Sequence, residues 1–158
     1  MGQLVIDNLN IKSIKNIGKI LSAHIKPKDI IIFTGPLGSG KTTLIKEICK
    51  GLNTREKASS PSFTIINKYH GKFDVLHIDF YRLNKFEEVN DLDLEDIFLT
   101  NNIVFIEWAD SFLQLLPKHH LEICFSIKTH LKRKLIFKSF CTNYNNIIKY
   151  IKNEYSCN

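Results

Sequence analysis

At 158 residues, with 44% hydrophobic and 24% charged side chains, the chain carries enough apolar material for one packed domain and too much for a disordered segment. No apolar run approaches the length of a bilayer span, and the opening MGQLVIDNLN lacks the charged-then-apolar order of a secretory signal, which favours a cytoplasmic protein without membrane contact. A net charge of +6 attracts polyanions in general, but the lysines lie scattered beside Asn and Ile rather than in one patch.

The four cysteines, Cys49, Cys124, Cys141 and Cys157, contain no C-x-x-C pair and read as reduced thiols. Leu4, Val5 and Ile6 read as a short edge strand. Asn8 or Asn10 then caps a helix on which Ile11, Ile14, Gly18, Leu21 and Ile25 recur at helical spacing. Pro27 and Asp29 close that segment. Residues 30–33 form a buried β-branched strand that delivers the chain to Gly35, and residues 35–42 read G-x-x-x-x-G-K-T. This is the phosphate-binding loop in its required setting, between a strand and a helix over 41–50 that Gly51 stops.

The chemistry asks for these residues at this spacing. Gly35, Leu37, Gly38, Ser39 and Gly40 let the backbone wrap a polyphosphate with its N–H groups pointing inward. Lys41 sets an ammonium against the outer phosphates, and Thr42, with Thr43 behind it, opens the helix and offers a hydroxyl to Mg²⁺. A bound nucleoside triphosphate is the expectation.

Residues 60–69 pass from loop into strand. Their hydroxyls around Pro61 make either an ordinary Ser/Thr turn or a segment able to close over a γ-phosphate. After a turn at 70–72, residues 75–79 form a strand ending in Asp79. Residues 87–98 read as one acidic helix. Residues 103–106 are a buried strand leading to Glu107 and Trp108, the latter either a core cap or a ligand contact. Residues 121–127 alternate strictly and predict an antiparallel strand with one wet face, paired in a hairpin with 135–137. The lysine-dense stretch 128–138 reads as a solvated hairpin tip, and His119 and His120 as surface. Tyr144, Ile147, Ile148, Ile151 and Tyr155 stripe a closing helix. The expected architecture is a single domain over 1–158, a three-layer α/β P-loop fold with a mainly parallel sheet and an antiparallel hairpin at one edge.

Ligands of open α/β sheets gather at the carboxyl ends of strands, where the loop, Asp79 and Glu107 converge. Mg²⁺ takes hard oxygen ligands, so Thr42 with Asp79 or Glu107 makes a metal site, and the other carboxylate orients an attacking water. ATP is favoured, since no late [ST/N]-K-x-D element reads guanine. A small-molecule kinase is the enzymatic rival, although the chain has few arginines (Arg55, Arg82, Arg133) for a lid. A nucleotide-dependent assembly factor that does not hydrolyse ATP is the alternative from another class.

GPLGSGKTT, SPSFTIINKY, HIDFYRL and IEWAD, in this order and at these separations, resemble the TsaE family (formerly YjeE), whose usual forms are GDLGAGKTT, SPTFTLVNEY, HFDLYRL and IEWPE. The resemblance covers about residues 30–121. It implies the small ATPase of bacterial tRNA threonylcarbamoyladenosine biosynthesis, using ATP and Mg²⁺. Lys41 and Thr42 would bind phosphate and metal, Glu107 would be the metal-side carboxylate, and Asp79, Trp108 and Thr64 would belong to the functional set. A segment near Asn10 and a basic residue of the last hairpin, Lys132 or Arg133, would flank the base. The implied partners are the transferase TsaD and its paralogue TsaB, with tRNA met only indirectly. Pro36 and the pair Ala109-Asp110 depart from the family pattern, and the hairpin lacks the usual Gly-Arg pair.

Overall fold

The computed structural model of the chain describes residues 2–61 and 63–155; Cys157, and Ser62 of the 60–69 segment, lie outside the described residues. Among the described residues, β1 (Gly2–Leu9), β2 (Ile30–Thr34), β3 (Ile66–Tyr69), β4 (Val75–Asp79), β5 (Ile103–Glu107), β6 (Leu121–Ile127) and β7 (Arg133–Ser139) form one sheet in the order β1-β7-β6-β2-β5-β4-β3. The helices are α1 (Ile11–His24), α2 (Lys41–Gly51), α3 (Phe86–Asn90), α4 (Leu94–Leu99) and α5 (Asn143–Tyr155). No described helix is long and apolar enough to cross a membrane.

The middle of the sheet is parallel: β6 pairs with β2, β2 with β5 and β5 with β4. Such strands are buried on both faces, and every residue of β2 and β5 is buried. Alternate side chains feed two cores. Ile31 and Phe33 pack with α1, α2 and α5 on one face, whereas Ile30, Ile32, Val104 and Ile106 pack with Val89, Leu94 and Phe112 on the other. The three-layer expectation is met.

Local chemistry fixes the helices. Asn10 caps α1, its side chain accepting from the Ser13 N–H at 3.0 Å, as a short polar side chain does at an N-cap. α2 does not stop before Gly51 but includes it. A Cβ on Gly51 would collide with Ser22 of α1, so close helix packing, rather than termination, requires the glycine there.

Four expectations need correction. The acidic helix over 87–98 is two helices, α3 and α4, broken at Asp93, whose φ of +48° is left-handed; short Asn and Asp side chains favour such local turns. The expected wet face of β6 is largely covered. The strand runs parallel to β2 and antiparallel to β7, so its polar Glu122 is buried and pairs with Lys138 at 3.1 Å. The β6–β7 hairpin lies one strand in from the edge, because β1 continues along β7, and the other edge is also antiparallel, β3 on β4. His119 is exposed, but His120 is buried, stacked on Phe140 with ring centroids 4.5 Å apart. Burial lowers its pKa.

Gly35 leaves β2 with a φ of +119°, and a Cβ there would strike the backbone carbonyl of Phe125 on β6. Gly35→Ala should therefore lower stability on the order of 1–3 kcal/mol through backbone strain alone, with the collision added. The urea midpoint, at unchanged slope, measures it.

Candidate functional site

The parallel register aligns the strand ends that build the site. Phe33 of β2 is paired with Glu107 of β5, and Glu107 with Asp79 of β4. The loop therefore leaves β2 beside two carboxylates. Gly38 and Gly40 continue it with φ of +72° and +109°, values that a side chain would strain. α2 begins at Lys41, and the N–H groups of a helix's first turn have no helical acceptor. Ser39 is 1% exposed, and its hydroxyl finds no partner among the described residues.

Lys41 is 4% exposed. Its Nζ donates to the carbonyls of Gly35 (2.7 Å) and Pro36 (3.0 Å) and lies 3.8 Å from the centre of the Trp108 ring. Burial pushes the ammonium's pKa down, while the charges of Glu107, Asp110 and Asp79 hold it up. Trp108 is half-buried with a φ of +61°, an unusual value for a bulky side chain. The indole packs against the second core and covers the lysine.

Thr42 donates its hydroxyl to both oxygens of Glu107, at 3.0 and 3.1 Å. Glu107 is 1% exposed, and its Oε1 also takes Nε2 of His77 at 2.9 Å. His77 is fully buried; its Nδ1 meets the Tyr69 hydroxyl at 3.2 Å. Asp79 is 2% exposed. It accepts from the Ser60 hydroxyl at 2.7 Å and from the Tyr81 N–H at 2.9 Å.

Thr64 is not brought to this cluster. It is exposed, and its hydroxyl donates to the Asn67 side chain at 2.7 Å. Arg133, rather than Lys132, reaches the loop: Nε donates to Ser39 O at 3.1 Å and an Nη to Gly38 O at 3.3 Å. The hairpin tip is accordingly not all solvated.

Two cavities flank the loop and share Gly38, Ser39, Gly40 and Thr43. One, of about 470 Å³, takes Leu37, Lys41, Thr42, Ser60, Glu107 and Trp108. The other, of about 460 Å³, takes Asn10, Ile11, Lys12, His130, Leu131 and Arg133. The first is hydroxyl-lined, with Lys41 and the Glu107 carboxylate at its wall, and the second mixes the aliphatic Ile11, Ile14 and Leu131 with the polar Asn10, Lys12, His130 and Arg133. The Thr42 hydroxyl and the Glu107 carboxylate are hard oxygen donors, which fit a divalent cation that shares its coordination with phosphate and water.

His77 and Tyr69 are absent from the sequence-based site. A histidine inside a strand reads as core, and Tyr69 as ordinary packing. The available signal was the period of two, which puts His77 on the same face as Asp79.

The profile of the family described as "Threonylcarbamoyl adenosine biosynthesis protein TsaE" matches residues 9–135. The chain is 33% identical over 145 residues to the tRNA threonylcarbamoyladenosine biosynthesis protein TsaE of Bacillus subtilis, covering 91% of this chain and 90% of that one. It is 35% identical over 126 residues to the protein of the same name from Rickettsia prowazekii, covering 77% and 85%. Among solved structures, the crystal structure of YdiB from Bacillus subtilis superposes with a TM-score of 0.78 at 27% identity, covering 97% of this chain and 96% of that one.

Arg133 braces the loop from outside through two carbonyls. Arg133→Ala should cost about 1 kcal/mol of stability and speed amide exchange across residues 38–40, read by hydrogen exchange without nucleotide. Unchanged exchange there would remove the bracing role.

Proposed function

The chain belongs to the TsaE family of tRNA threonylcarbamoyladenosine biosynthesis proteins, and from this we propose that it is a cytoplasmic, Mg²⁺-dependent ATPase. It serves threonylcarbamoyl modification of adenosine 37 in tRNAs reading codons that begin with A. It acts on the transferase TsaD and its paralogue TsaB, not in the transfer chemistry itself. The observation that supports this best is the Thr42 hydroxyl held between both oxygens of buried Glu107, at the first turn of the helix that follows a glycine loop.

Lys41 and the loop N–H groups bind the outer phosphates. Thr42 and Glu107 would hold Mg²⁺, with Asp79 as an alternative ligand or placed one water away. When bound, the ion supplies charge neutralisation across the outer phosphates. Asp79 orients the attacking water. The cavity by Asn10 and Arg133 takes the base. Arg82 lies over the Phe63 ring at 4.2 Å and Arg133 is spent on loop carbonyls, so neither is placed to act as a finger on the phosphates. Hydrolysis is accordingly slow until TsaD and TsaB supply closure, and it resets their complex between rounds. tRNA is met through those partners.

Lys41→Ala removes a charge-assisted contact. It should cost on the order of 1.5–3 kcal/mol of ATP affinity, measured by calorimetry on folded protein; undiminished binding would remove the nucleotide site.

Reconstituted modification of tRNA tests the role. Over many turnovers, wild type should sustain product formation, while Thr42→Ala stalls after about one round. Equal yields with Thr42→Ala, or without this protein, would leave the proposal without support. Phosphate transfer to a small-molecule acceptor would favour a kinase, and full yield without any hydrolysis an assembly factor.

A further inference from the structure

Both site carboxylates are tied to the same short stretch of chain, by different routes. Asp79 holds it directly through the Ser60 hydroxyl at 2.7 Å. Glu107 holds it through two intermediaries. Its Oε1 meets His77 Nε2 at 2.9 Å, and His77 Nδ1 meets the Tyr69 hydroxyl at 3.2 Å. That hydroxyl, whose single proton serves either His77 Nδ1 or Ser59 O at 2.8 Å, also accepts from Ser59 N–H at 3.2 Å. The path runs from fully buried His77 and nearly buried Tyr69 to exposed Ser59 and Ser60.

We infer that His77 and Tyr69 are positioning residues that couple the orientation of Glu107 to the placement of Ser59 and Ser60. The inference rests on the metal-site reading of Thr42 and Glu107 given above. An imidazole bonded at both nitrogens inside a dry core cannot rotate without stranding two buried polar groups. Glu107 is an acceptor only, so Nε2 carries a proton in that contact, and the ring has one usable orientation. Tyr69 grips both backbone groups of Ser59, so its hydroxyl reports on where the backbone lies. Asp79 and Glu107 are register partners on neighbouring strands. A shift of Ser59 and Ser60 therefore pulls on both carboxylates at once. Moving Glu107 to meet a ligand sends the same strain outward to the stretch that leads to Phe63, which is 86% exposed.

The competing role is purely structural, a histidine that staples β3 and β4 to β5. The two roles part on one measurement. Tyr69→Phe keeps the ring and deletes the hydroxyl, and His77→Gln keeps a side-chain donor for Glu107 while breaking the link to Tyr69. ATP affinity is measured for the full chain with Mg²⁺ and with EDTA, alongside amide exchange at residues 59 and 60.

In wild type, Mg²⁺ should raise ATP affinity and change exchange at Ser59. In each variant that Mg²⁺-dependent gain should fall about tenfold, as when an outer partner of a metal ligand is removed. The Ser59 response should vanish. Variants that melt earlier yet keep the full Mg²⁺ gain and the Ser59 response would overturn the inference and leave the metal site standing. A wild type with no Mg²⁺ gain would overturn the metal-site reading and the coupling with it. His77→Gln carries the test should Tyr69→Phe fail to fold.

Discussion

The Thr42 hydroxyl on both oxygens of Glu107 is the contact on which the rest of the site depends. It joins the first turn of α2 to the last residue of β5, two elements 65 positions apart in the chain. A carboxylate 1% exposed would be costly without partners. Here Thr42 and His77 supply donors, and Lys41 supplies opposite charge. The same acid that needs those partners holds the lysine's charge up against burial. Thr42 and His77 meet on this one carboxylate, so losing Glu107 takes the acceptor from both.

Backbone strain marks the border of this unit. Trp108, immediately after Glu107, has a φ of +61°, and Ile65, one residue before β3, has a φ of +64°. Both are conformations that bulky and β-branched side chains avoid. Each has a structural result. The first lays the indole over Lys41. The second lets Ile65 O accept from Asp79 N–H at 2.9 Å and Ile65 N–H reach Pro61 O at 2.7 Å. Strain is tolerated where the surroundings over-determine the geometry, and here those surroundings are the buried strand ends.

What the sequence made legible follows from physical range. The loop, the strand before it and the helix after it are local, and residues 30–51 could be read almost residue by residue. The strands ending in Asp79 and Glu107 were legible because an apolar stretch that stops at a carboxylate, broken in the first only by His77, is a local pattern too. Strand neighbours were not. Alternation in 121–127 correctly marked two unlike faces, but it could not tell that β2 and β7 would sandwich the strand and bury Glu122 with Lys138. The break at Asp93 was hidden because acidic helix formers on both sides kept the helical period. His77 was hidden for a different reason: its role exists only once β3, β4 and β5 are side by side.

The two cavities give the loop a meaning that neither has alone. One wall of the first comes from the ends of β4 and β5 and from Ser60, on one side of β2. The second is made by the start of α1 and the tip of the β6–β7 hairpin, on the other side. A nucleotide lying across the loop would touch both halves of the sheet, with its base by Asn10 and Arg133 and its phosphates by Thr42 and Glu107. Arg133 already spans that divide, holding the loop carbonyls from the base side. Ligand binding in this arrangement adds little new order to the loop, whose path is set by β2, α2 and Arg133.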